Sequence, residues 1–384
     1  MADSAARVGM GTVEDVHASA MKITGLSDFG DQGYLEALNM LMESYARDEK
    51  LTEFGNKAKR AEIRSGLVAR LFTEQAFKDH PASAGVPIKR PIFVTGLPRT
   101  GTTALHRLLC ADPAHQGLEL WLCEMPQPRP PRDTWPDNPI YAHMSAMFER
   151  FHTENPDFAG VHYMTADTVE ECWQLLRQEL MSIAYESLAY LPTYSAWLQE
   201  QSWVRAYGRH RRTLQLIGMN DQDKRWILKN PSHLFALDAL LETYPDAIVI
   251  QTHREPRELI GSTSSLSAQA TVGQSDLFLG EVIGRSQLEL WARGAEAFAE
   301  ARARHDPSHF MDIEFAEFNV DPVGVALSVY EKFGIPLSDA AVAAIHAEGD
   351  DSRSDARRPT HKYSLADFGL TVEDVDARFG SLRR

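Results

Sequence analysis

The stretch from Pro91 to Thr103, PIFVTGLPRTGTT, constrains the fold of this chain more than any other. Ile92 to Thr95 make a short apolar run rich in β-branched residues, the pattern of a buried strand. Gly96, Leu97, Pro98, Arg99, Thr100 and Gly101 follow, and from Thr102 onward Leu105, Leu108 and Leu109 share one helical face. Strand, glycine-bounded loop and helix together form an anion cradle, because loop N–H groups and the positive helix end point at one spot. The spacing follows the phosphate-loop template G-x-x-x-x-G-K-[ST], with Gly96, Gly101 and Thr103 in register. Thr102 stands where that template has lysine. The lysine normally reaches the β- and γ-phosphates of a nucleoside triphosphate. Its absence argues against a conventional ATPase and for a donor with a shorter acidic tail. The nearest cation is Arg99, inside the loop.

Further strands alternate with helices after this loop. Trp226 to Lys229 read as a second strand, followed by Asn230 and Pro231, with Ser232 as the expected helix cap and Leu234, Leu237, Leu240 and Leu241 as the apolar face. Ala247 to Thr252 read as a third strand, with His253 and Arg254 at its end and a helix opening near Pro256. His309 to Phe315 suggest one more. Pro322 opens a helix that Gly334 ends. This alternation predicts an α/β fold: a phosphate-loop type of three-layer domain with a central parallel sheet flanked by helices. Ligands of open parallel sheets bind at the carboxyl ends of strands, and Gly96, Lys229 and Arg254 all fall there. Residues 1–88 read as a helical N-terminal segment packed on the α/β domain of residues 89–384, on the spacing of Tyr34, Leu35, Leu38, Leu41 and Met42.

Charge and cysteine content narrow the partners. The chain has 384 residues and a net charge of −15, which argues against a general nucleic-acid binder and requires any anion site to be a local basic pocket. No apolar run is long enough to span a bilayer. The N-terminus lacks the apolar core of a signal peptide. Three cysteines, Cys110, Cys123 and Cys172, show no metal-ligand spacing and suit a reducing cytoplasm.

The middle of the chain carries candidate bases. Six prolines, Pro126, Pro128, Pro130, Pro131, Pro136 and Pro139, rule out regular structure around residues 125–140. That loop either borders the active-site mouth or is a plain surface connection. Val169, Trp173, Leu176, Leu180 and Ile183 predict one helix, with Thr168 and Glu171 as a capping box. Glu170 is less easily explained as a cap, and His162 precedes this helix on an expected loop. Near the C-terminus, Arg353, Arg357, Arg358, His361 and Lys362 concentrate positive charge, either a solvated run or a donor-binding segment.

TGLPRTGTT resembles the 5′-phosphosulfate loop of sulfotransferases. WILKNPSHLFALDALLETYPDAIVIQTHREPRELIGSTSS is similar to the second signature of the large bacterial sulfotransferase family, and TGLSDFG and HKYSLADFGL resemble it too. The resemblance covers most of the chain, and two separated motifs in order are more specific than either alone. It implies a sulfotransferase that takes a sulfuryl group from 3′-phosphoadenosine 5′-phosphosulfate (PAPS), without a metal, to a hydroxyl or amine of a small-molecule, lipid or glycan acceptor.

The resemblance also implies roles. Pro98, Arg99, Thr100, Gly101, Thr102 and Thr103 would hold the 5′-phosphosulfate, with Arg99 on the bridging oxygen. Arg254 and Ser262, eight residues apart, match the family's 3′-phosphate pair. Arginine suits that task because its planar fork makes two parallel charged hydrogen bonds. A structural ion pair of Arg254 with Glu255 or Glu258 is the alternative. Arg358 and Lys362 are further donor-binding candidates, and Lys229 is a candidate for stabilising the moving sulfuryl group. The Lys-x-His element that supplies the base in small-molecule sulfotransferases is missing after the loop helix. The base stays open among Glu170, His162, His115 and His233. Two rival readings remain, a small-metabolite kinase and a nucleotide-binding protein without catalysis. The acceptor and the oligomeric state, a homo-oligomer included, are not written in the sequence.

Overall fold

A computed structural model describes residues 9–154, 164–354 and 363–380 of the chain. Its centre is a sheet of five parallel strands: β1 (Ile92–Gly96), β2 (His115–Gln116), β3 (Arg225–Lys229), β4 (Ile248–His253) and β5 (Phe310–Glu314). Their order is β2-β3-β1-β4-β5. The chain leaves β1 for strands on one side and returns to β4 on the other, so the loop after β1 sits where the winding reverses. Ile92, Phe93 and Val94 pair with Ile227, Leu228 and Lys229, and Gly96 pairs with Thr252. That register brings Gly96, Lys229 and the end of β4 to one edge.

Alternation along the strands feeds two cores. Ile92, Val94, Ile227, Ile248 and Ile250 join Leu105, Leu108 and Leu109 of helix α4 (Thr102–Cys110) and Val323, Ala326 and Val329 of the helix Pro322–Phe333. Phe93, Leu228 and Val249 point the other way. They join a larger cluster with the helices Val204–Ile217 and Gly280–Arg302. The same cluster contains Val16 of α1 (Val13–Thr24), Leu38 and Leu41 of α2 (Tyr34–Arg47), and Ile63 and Leu67 of α3 (Glu53–Asp79). Each such leucine, fully buried, contributes about 1.5–3 kcal/mol.

Several local expectations fail. No single helix runs from Val169 to Ile183. Val169 forms an isolated antiparallel bridge with Glu119, the helix begins at Trp173, and Leu180 breaks it with φ +53°. Tertiary bonds override the periodicity there: Glu179 is paired with Arg70 of α3, and Gln178 takes a hydrogen bond from Arg209. The Thr168–Glu171 capping box is absent; the Thr168 hydroxyl accepts from the Thr165 N–H, and Glu171 is used elsewhere. Beyond Leu180 the chain forms three separate helices, Ile183–Ser187, Pro192–Gln199 and Val204–Ile217. Asn230 rather than Ser232 caps the turn after β3, accepting from the Ser232 N–H. The proline-rich stretch holds a 3₁₀ turn over Arg132–Asp137 and leads into the helix Pro139–Glu154. Pro136 falls inside the 3₁₀ turn, a short element with few interior N–H bonds to lose.

Candidate active site

The loop between β1 and α4 owes its shape to two glycines and one strained residue. Gly96 (φ +142°) passes so close to β4 that a Cβ there would lie 2.5 Å from the Thr252 hydroxyl. A Cβ on Gly101 (φ +87°) would lie 2.9 Å from the Phe318 ring. Arg99 itself takes the left-handed backbone at φ +70°. Thr100, fully buried, donates to the Leu97 carbonyl at 2.6 Å and meets Thr252 Oγ1 at 2.6 Å. No side chain caps α4. Its first N–H groups are therefore left for an anion in the loop.

Residues from separate motifs converge on this loop. Arg99 Nε donates to Ser262 Oγ at 3.2 Å, and Arg254 donates to the Arg99 carbonyl at 3.1 Å. Arg254 lies 4.4 Å above the Phe315 ring. It also pairs with Glu258 at 2.9 Å, so the ion pair weighed against a phosphate role exists. Glu258 is the more exposed partner, and such surface pairs are worth at most about 1 kcal/mol. A phosphate can displace it. A cleft of about 520 Å³, lined by Leu97, Thr252, Arg254, Pro256 and Phe315 among others, opens beside these groups.

On the other side of the loop, Lys229 ends β3 almost fully buried. Its ammonium donates to Thr103 Oγ1 at 3.2 Å and is paired with Glu171. Thr103 is exposed at the start of α4. The Glu170 N–H donates to Leu118 O at 2.7 Å and the Cys172 N–H to Lys229 O at 2.9 Å, which pins both glutamates beside the strand end. Glu170 is buried. Burial, reinforced by the neighbouring Glu171 charge and opposed by Lys229, pushes its carboxyl up to about 7. A carboxyl so poised is half-ionised near neutral pH and can accept a proton.

The histidines are less well placed. His233 is fully buried, with Nδ1 2.6 Å from the Tyr207 hydroxyl and the Phe93 ring edge-on at 5.0 Å. Burial, with His210 and Lys229 nearby, lowers its pKa well below the ordinary value. His115 lies on β2 opposite Arg225, at the amino end of β3, and stacks on Tyr330. It is not brought to the loop. His162, Arg358 and Lys362 lie outside the described residues. Among the described residues no cluster of His, Cys, Asp or Glu could hold a metal. No described helix is long and apolar enough to cross a membrane.

Residues 91–339, which begin one residue before β1, match the model of the Sulfotransferase family. The chain belongs to the sulfotransferase family. This sulfotransferase is similar over 98% of its length to all of the solved sulfotransferase STF1 from Mycobacterium tuberculosis H37Rv, at 51% identity and TM-score 0.92. STF9 from Mycobacterium avium superimposes with TM-score 0.87 at 26% identity, over 99% of this chain and 97% of that one. A curated relative from Mycobacterium bovis, the omega-hydroxy-beta-dihydromenaquinone-9 sulfotransferase Stf3, is 29% identical over 311 residues, 76% of this chain and 74% of its own. The sulfotransferase is thus a transferase of the parallel-sheet, phosphate-loop type.

Sequence reasoning missed Thr252, Phe315 and Glu171. Thr252 is an unremarkable strand residue until Thr100 and Gly96 are folded against it. Phe315 follows β5 directly, and only its place under Arg254 marks it. Glu171 was hidden by its fit to a capping pattern.

Proposed function

We propose that the protein transfers a sulfuryl group from PAPS to a hydroxyl or amine of a small-molecule, lipid or glycan acceptor. The observation that carries this reading is the convergence of Arg99, Ser262 and Arg254 on one phosphate loop, with anion-binding groups at two ends. The uncapped start of α4 and the close-packed Gly96 and Gly101 suit the 5′-phosphosulfate, with Pro98, Thr100, Thr102 and Thr103 shaping the cradle. Arg254 and Ser262 suit the 3′-phosphate, with Arg358 and Lys362 as further candidates. Bound there, the donor supplies the sulfuryl group. Glu170 takes the proton of the acceptor hydroxyl or amine as its O–S or N–S bond forms. The S–O bond to the phosphate breaks in line, and the electron pair leaves with 3′-phosphoadenosine 5′-phosphate (PAP). Lys229 faces the charge on the moving group, and Arg99 the charge on the leaving oxygen. His162 and His233 are the remaining candidates for the base; the burial of His233 favours Glu170.

The name of the Stf3 relative points to a hydroxyl on a lipid quinone, which supports the lipid branch of the acceptor classes for this chain. Free thiols at Cys110, Cys123 and Cys172 support a reducing, cytoplasmic setting. The shared hydrophobic cluster supports residues 1–88 as a layer built onto the α/β domain of 89–384. A kinase would call for an acid at a strand end beside the loop; Glu314 ends β5, two strands from β1.

A thermal-shift titration with PAP, beside ATP and magnesium, tests the donor. A ligand that binds only the folded state raises the midpoint, by the equivalent of about 2.7 kcal/mol at one hundred times Kd. PAP is expected to stabilise the protein and Arg254→Ala to remove most of that shift. Stabilisation by ATP alone would sink the sulfotransfer reading of the site.

A further inference from the structure

We propose that Glu171 is a positioning residue of the transfer step, the anchor that holds the Lys229 ammonium against Thr103 beside Glu170. The proposal rests on the reading of Glu170 as base and Lys229 as the group facing the moving sulfuryl. Lysine is a point charge on a flexible four-carbon stem, so its location must come from its partners. The Lys229 ammonium has three donors. One goes to Glu171 and one to Thr103 Oγ1. The third has no partner among the described residues and is left for a ligand at the mouth of the loop. Glu171 in turn is fixed by its backbone, since the N–H groups of Glu170 and Cys172 on either side are bonded to Leu118 and Lys229.

Two adjacent carboxylates thereby acquire different tasks. Glu171 is 29% exposed in its side chain and faces an ammonium. Glu170 is buried and faces the Glu171 charge on its own segment, Lys229 from β3, Arg107 from α4, and the neutral Cys123 thiol from the helix Leu120–Glu124. Different surroundings for two neighbouring carboxyls are how one site obtains both an acceptor of protons and an anchor for a cation. A purely structural Glu171, holding the segment to β3, would leave kcat unaltered in Glu171→Asp, which keeps the charge that Glu170 feels. A positioning Glu171 would not. Its neutralisation removes a like charge and leaves Lys229 uncompensated, and both changes favour ionised Glu170.

The test is the titration of Glu170 in PAP-saturated protein, followed by the ¹³C-carboxyl signal that Glu170→Gln removes. In the parent protein it is expected near 7. In Glu171→Gln it is expected about one unit lower or more, with PAP affinity within about threefold. In Glu171→Asp, which keeps the charge but loses reach to Lys229, the titration is expected near its original place. Turnover of 4-nitrophenyl sulfate with PAP as acceptor, read as 4-nitrophenolate, is expected to fall in both variants through kcat rather than KM. An unmoved titration in a folded Glu171→Gln protein overturns the proposal. If Glu171→Gln does not fold, Glu171→Asp decides: unaltered kcat overturns the anchor role. A parent signal titrating near 4.5 would instead mean that Glu170 is not a desolvated base, and the functional reading fails before Glu171 is at issue.

Discussion

Glu170→Gln is expected to lower turnover by about 10²–10⁴-fold while leaving the PAP-induced rise in melting midpoint intact. Glutamine keeps the size of the side chain and cannot accept the acceptor's proton. In the direction from PAPS to acceptor, where Glu170 must be ionised to take the proton, kcat/KM of the parent protein should climb with pH to a plateau above about 7. The variant should lose that limb. Its stability should change in the opposite sense. Burial and Glu171 raise the folded proton affinity of Glu170 above its unfolded value. The stability this lends is complete below the unfolded value near 4.5 and lost as pH rises through about 7. At pH 8 the parent protein must bury a carboxylate that the variant lacks, a penalty of about 3 kcal/mol. Melting curves at pH 4.5 and pH 8 check this: Glu170→Gln should gain on the parent only at the higher pH. A variant that loses stability at pH 8, or keeps its turnover, would show that Glu170 serves packing rather than proton transfer.

Lys229→Met is expected to cost about 10²–10³-fold in kcat, the loss typical of one preorganised donor to a charge that develops in the transition state. Methionine matches the lysine stem in bulk, so the strand end should persist. The diagnostic is again the pH profile. Lys229 lowers the proton affinity of Glu170, so its removal moves the acid limb to higher pH, opposite to the effect of Glu171→Gln. Initial rates from pH 6 to 9 separate these outcomes. A limb that stays in place would mean that Lys229 and Glu170 do not feel one another in the working enzyme.

The sequence was most readable where local rules and tertiary needs agree. Gly96 and Gly101 announce the loop because nothing larger fits beside Thr252 and Phe318. Arg254 and Ser262 are legible through their spacing, since the helix that starts at Pro256 carries Ser262 toward Arg99. The region from Thr168 to Leu180 was misread because its apolar spacing is helical while its fate is set by distant partners. Arg70 and Arg209 claim Glu179 and Gln178, and Lys229 claims Glu171. No local pattern encodes a contact with a residue 109 positions away, as in Arg70 and Glu179. β2 escaped notice for a related reason: two residues are too few for periodicity, and only the edge of β3 makes His115–Gln116 a strand.

The short helix Phe315–Val320 has a wider consequence. Its Phe318, with Phe315, stands against Gly101 at the proposed 5′ end of the donor site, and Phe315 also lies under Arg254 at the proposed 3′ end. Both contacts spring from a single turn of chain behind β5, so the two jaws share one rigid frame. Such a frame works as a caliper. With the donor site as proposed, it would gauge the distance between the two acidic groups of a nucleotide, so that a molecule with a 5′-phosphate alone, or with its second phosphate on the neighbouring hydroxyl, is expected to fill one jaw and miss the other.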